Sequence, residues 1–235
     1  MKLLFICCGV LKDEIDAALL KTGVDGEVLT ISEHLHLEPE NLKTEIQKTL
    51  DGLSNEYKAV VLVFGLCGGA LSGIKTNGVT VIVPKVHDCI SFFLGSAKKY
   101  SELFSQYGGK AYWFTKSFLK QGFLPTLESY EKKRKEFAEQ FDEDSADYLV
   151  EMEKESLLNY NICSVVDNAD CPCKELEEAA KASADAYGWG TELHPINDEF
   201  FIKIASGEYN EEEFLIVPPN KTIIQSNDKE ILSYQ

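Results

Sequence analysis

The chain has 235 residues, 44% of them hydrophobic and 26% charged, with a net charge of -16. That composition supports a sizeable core and argues against disorder. The acidic balance argues against a nucleic-acid or anionic-membrane partner, because binding phosphates needs clustered Lys and Arg.

Residues Lys2 to Cys8 form an apolar run ending at Gly9. The opening MKLLFICCGVL reads as a buried strand and not as a signal peptide, since the run is short, Lys2 precedes it and charged residues follow. Ile15, Ala18 and Leu19 then recur at helical spacing. The alternation continues with a strand at 27–32, a helix over 41–53, strands at 59–65 and 79–84, a helix over 89–106 and a strand at 110–115. Apolar strands separated by helices are the pattern of a mostly parallel sheet covered on both faces. The expected class is therefore α/β, Rossmann-like, with helices on both faces.

From Leu127 to Leu158 the chain turns charged, with Tyr130, Phe137, Phe141, Tyr148, Leu149 and Met152 on one side, which predicts one or two amphipathic helices. The acidic stretch 142–147 reads as a solvated face. The alternation then resumes with a strand at 161–167, a helix over 174–187, a strand at 189–195, a helix over 197–206 and a strand at 214–219. The expected organisation is an α/β lobe over 1–126, a helical segment over 127–160 and a second α/β portion over 161–235, with the last helix and strand free to cross back. A single continuous sheet fits almost as well. No apolar run approaches the roughly 20 residues of a membrane helix, and seven scattered cysteines suit reduced thiols or metal ligands better than a disulfide framework. A cytoplasmic protein without a membrane partner is expected.

Ligands of open parallel sheets bind beyond the carboxyl ends of the strands. Three predicted strands deliver a thiol or imidazole to that edge: Cys7 and Cys8 end the first, Cys67 follows the third in GLCGGALSG, and His87 and Cys89 follow the fourth in PKVHDC. One first-strand cysteine with Cys67, His87 and Cys89 makes a Cys₃His set suited to Zn²⁺, or less well to an iron–sulfur cluster. Gly65, Gly68 and Gly69 give the third loop a backbone able to approach a cofactor or anion, although the spacing is neither a dinucleotide fingerprint nor a P-loop. The sequence His87-Asp88-Cys89 equally admits a metal-free cysteine nucleophile. Cys163, Cys171 and Cys173 read as structural, the C-x-C spacing being shorter than a thioredoxin-type motif. His34, His36 and His194 read as ordinary histidines.

The blocks GLCG at 65–68, PKVHDCISFFLGSAKKY at 84–100 and KAYWFT at 110–115, with CGVLKDEI at 8–15, the GW at 188–189 and SGEYNEEEFLIVPPNKTI at 206–223, resemble the DUF1638 family of bacteria and archaea. The matching positions are Cys8 with Gly9, Glu14, Gly65 to Gly68, Pro84, His87, Asp88, Cys89, Gly95 and Tyr100. The resemblance implies Cys8 over Cys7 as the first-strand ligand, and an association with corrinoid-dependent methyl metabolism. It names no reaction.

The leading expectation is a metal-binding protein holding Zn²⁺ through Cys8, Cys67, His87 and Cys89, with Asp88 or Glu14 orienting a ligand or carrying a proton. Its expected partners are a small molecule or cofactor and proteins of a corrinoid methyltransferase system. The alternatives are an accessory protein that binds a small anionic ligand through the glycine-rich loop, and a thiol enzyme.

Overall fold

The computed structural model describes residues 2–54, 56–226 and 231–235. In chain order the first elements are β1 (Lys2–Cys8), α1 (Lys12–Thr22), β2 (Gly26–Ile31), α2 (Pro39–Asp51), β3 (Tyr57–Val63), β4 (Val81–Pro84), α3 (Ile90–Phe93) and α4 (Ala97–Gln106). There follow β5 (Ala111–Phe114), α5 (Lys116–Lys120), α6 (Leu127–Gln140), α7 (Glu143–Ser156), β6 (Ile162–Asp167), α8 (Lys174–Tyr187) and β7 (Gly190–Pro195). The chain closes with α9 (Glu199–Ser206), β8 (Phe214–Val217), β9 (Ile223–Gln225) and β10 (Leu232–Tyr234).

Two compact units emerge, one from Met1–Lys98 with Asn197–Gln235, the other from Lys99–Ile196. These boundaries differ from the sequence-based division at 126 and 160. The physical reason lies in α6 and α7, which do not bridge two lobes. They form the crossover between β5 and β6, two parallel neighbours of one sheet, and a parallel pair needs a long connection.

The sheet of the first unit runs β2-β1-β3-β4-β8. Strands β1 to β4 are parallel and β8 is antiparallel to β4, with Val81 opposite Val217. Both central strands are apolar throughout their buried part: Leu4 to Cys8 and Ala59 to Val63 are almost entirely without solvent contact, as strands covered on both faces must be. The chain leaves β1 to one side for β2 and then crosses to β3 on the other. With right-handed crossovers, α1 and α2 therefore lie on opposite faces. Helix α9 packs against α1, and its Phe200 and Phe201 meet Phe92 and Phe93 of α3 with ring centroids 5.5 and 5.6 Å apart.

The helix expected over 89–106 is broken into α3 and α4. Gly95 has φ +80, a left-handed conformation, and any Cβ there would meet the Asn197 side chain. Only glycine takes that backbone readily.

The second unit is built on the parallel sheet β5-β6-β7. Phe114, Cys163, Val165, Leu176, Ala180 and Trp189 form its core, so Cys163 is a packing residue. The pair α6 and α7 is fixed by charge and capping. Thr126 and Ser129 form a capping box, Asp142 accepts from the Ser145 N–H at 2.8 Å, and Arg134 pairs with Glu143 and Asp147. The acidic stretch is thus partly a helix cap and partly a counter-charge, beyond a merely solvated face.

Candidate functional site at the carboxyl edge of the first sheet

The chain order of the first sheet reverses between β1 and β3. At such a switch the loops diverge to opposite faces and leave a crevice beyond the strand ends. Cys8 ends β1, Cys67 follows β3, and Asp88 with Cys89 follow β4, beside β3.

The three thiols feel one another. Cys67 interacts electrostatically with Cys8 and Asp88, and Cys89 with Asp88, Cys67 and Cys8. Each residue of the Cys67, Asp88 and Cys89 group keeps some exposed surface, while its ionisable group is packed round by protein. Burial pushes the Cys8 thiol up to about 12, opposed by a hydrogen bond from the Val10 N–H. Burial likewise raises Cys67, opposed by the Gly65 N–H, and raises Cys89. Asp88 is raised by burial too, although the Ile90 N–H donates to its Oδ1 at 2.8 Å and the Cys89 thiol donates to the same carboxylate. At neutral pH this is a set of protonated thiols.

Backbone contact holds the loops together. Gly65 is buried, and a Cβ there would stand 3.0 Å from the Asp88 carbonyl carbon and 3.1 Å from the Cys89 nitrogen. The adjacent Leu66 N–H donates to the Val86 carbonyl at 3.0 Å. Cys67 itself has φ +47, a conformation that a side-chain-bearing residue adopts at a cost, and Gly68 and Gly69 follow at +67 and +91. Non-glycine strain of this kind concentrates at functional loops.

His87, the fourth expected ligand, is exposed, and it acts electrostatically on Asp88. Glu14 lies half-buried in the first turn of α1. Among the described residues no group of three or more His, Cys, Asp or Glu is arranged to hold a metal ion, so the cysteines are neighbours without being preset around a point. Cys7 is fully buried, and its thiol bonds the Thr30 side chain across from β2.

Sequence reasoning passed over the loop after β2. Glu33 acts on both Cys8 and His36, and its carboxylate lies over Gly9, where any side chain would overlap it. His36 stacks on Phe64 with centroids 6.3 Å apart. Its Nε2 is buried without a hydrogen-bond partner, and burial lowers its pKa, leaving a neutral imidazole at the crevice edge. The residues E-H-L-H directly after a parallel strand were the available signal.

This arrangement defines an α/β protein whose mostly parallel first sheet carries three cysteines at its carboxyl edge. The chain belongs to DUF1638, described as a protein of unknown function, whose family model matches residues 30–204. The match takes in Cys67, His87, Asp88 and Cys89, while Cys8 and the motif at 206–223 fall outside it. No curated protein and no solved structure matches the chain. No helix among the described residues is long and apolar enough to cross a membrane.

Proposed function

We propose that the crevice between β1 and β3 binds a thiophilic metal ion, Zn²⁺, through Cys8, Cys67 and Cys89. The observation that supports this reading is the placement of Cys8, Cys67 and Cys89 at three strand ends of one sheet edge, with Cys67 and Cys89 each within electrostatic reach of Cys8. Thiolates select soft or borderline ions such as Zn²⁺. The crevice offers three cysteines, one fewer than a cluster ordinarily takes, which favours zinc over iron–sulfur. Because the side chains are not preset, binding closes them on the ion and expels their protons.

The fourth position is then open to a protein group or a small-molecule ligand, as in a catalytic site. A thiol ligand at such an ion is activated for alkyl or methyl transfer, and corrinoid methyltransferase proteins are the partners this chemistry would take. Reduced thiols in such number suit the cytoplasm.

Two observations weigh against the alternatives. The Gly65 N–H bonds the Cys67 sulfur and the Gly69 N–H bonds the Leu66 carbonyl, so part of the glycine loop's donor capacity is spent internally and not on an anion. The raised thiols lack the standing thiolate of a metal-free nucleophile. Untagged protein purified anaerobically should carry stoichiometric zinc, and Co²⁺ added after its removal should give thiolate-to-cobalt absorption. Absence of both signals would overturn the reading.

A further inference from the structure

The second unit has its own thiol cluster, at the carboxyl edge of β5-β6-β7, which shares no residue with the crevice. We propose that Cys171 and Cys173 form a redox-active dithiol that exchanges with small disulfides, Cys171 attacking and Cys173 resolving.

Cys171 is the exposed one of the seven cysteines: Cys7, Cys8 and Cys163 are buried, while Cys67, Cys89 and Cys173 are half-buried. All seven are free thiols. The loop that carries the pair is pinned by Asp167 at the end of β6. This carboxylate, almost fully buried, accepts from the Asn168 N–H at 2.8 Å and the Cys173 N–H at 2.6 Å, and pairs with Lys116 Nζ at 3.2 Å. The anchoring fixes Cys173 as the N-cap of the 14-residue helix α8, while Cys171 sits on the bend before it.

Lys116 supplies the second element. Its ammonium is within electrostatic reach of both Cys173 and Cys171, so a positive charge stands beside the pair to stabilise the negative charge that builds on sulfur during exchange. The Cys173 thiol donates to Glu175 Oε2 at 3.3 Å, which gives its proton a path out. Two peptide units span at most about 7 Å, close to the roughly 4.4–6.8 Å that a disulfide requires between Cα atoms. A ring this short is strained, and a strained disulfide is easily reduced, which suits exchange better than a structural role.

The chemistry balances. Cys171, its proton lost to solvent, attacks one sulfur of a disulfide R–S–S–R; the first R–S⁻ leaves and is protonated. Cys173, its proton passed towards Glu175 and water, attacks the Cys171 sulfur, and the second R–S⁻ leaves. The protein dithiol is oxidised to a disulfide, and R–S–S–R is reduced to two R–SH.

The full chain, reduced and desalted, is equilibrated with hydroxyethyl disulfide and 2-mercaptoethanol at a series of ratios, alkylated and weighed. The expected result is a reversible loss of two hydrogens with a peptide linking Cys171 to Cys173. The Cys173→Ser variant should accumulate a mixed disulfide at Cys171, Cys171→Ser should react severalfold more slowly, and Lys116→Gln should slow attack by Cys171 severalfold while circular dichroism is unchanged. Alkylation of both thiols at every ratio, or equal rates for the two serine variants, would overturn the proposal.

Discussion

Gly65 and Asp88 meet backbone to backbone: a Cβ on Gly65 would lie 3.0 Å from the Asp88 carbonyl carbon and 3.1 Å from its Cα. Neither atom can swing aside as a side-chain tip would. Gly65→Ala should therefore push the two crevice loops apart and destabilise the fold by about 1–3 kcal/mol. A lowered denaturation midpoint with an unchanged slope would show this, and an unchanged midpoint would show that the loops yield freely.

The crevice thiols make stability depend on pH. An unfolded cysteine loses its proton near 9.0, whereas Cys8 in the fold keeps it to about 12. Between those values the unfolded state binds fewer protons, so stability falls as pH rises, by up to about 1.4 kcal/mol per pH unit for each such group. Metal-free protein should lose thermal stability steadily above pH 9, and Cys8→Ala should flatten that fall.

Metal content should separate the candidate ligands. Cys67→Ser and Cys89→Ser should sharply lower bound zinc, since an alcohol is a far poorer ligand than a thiolate. His87→Ala should leave it in place, because His87 is exposed and acts on Asp88. Metal analysis of the three variants, each checked for fold, decides the point; zinc lost from His87→Ala would restore that residue to the ligand set.

The two thiol sites should be independent. Replacing Cys171 and Cys173 together with serine should change neither the fold nor the zinc bound by Cys8, Cys67 and Cys89. Loss of zinc from the double variant would place the metal in the second unit.

The parallel α/β class was legible because β1, β3 and β4 are apolar throughout their buried stretches, a pattern that burial on both faces imposes. The placement of Cys8, Cys67 and Cys89 at strand ends was legible for the same reason, since strand ends share an edge. The exposure of His87 was not legible, because a residue's place in a loop does not fix how much of it is covered. The insertion of α6 and α7 between β5 and β6 was hidden by their amphipathic pattern, which would suit a linker or a crossover equally. The antiparallel return of β8 to β4 depends on long-range pairing that no local period records.

The pairing of β8 with β4 also sets an order of events as the chain is made. Strand β8 belongs to the first unit yet is synthesised after the whole of the second. Until Phe214–Val217 leave the ribosome, β4 presents Val81–Pro84 as an open apolar edge, the kind of template on which chains aggregate. The contiguous second unit can fold in that interval, whereas the first stays vulnerable until the final stretch arrives. A chain truncated before residue 214 should therefore be the form most prone to self-association.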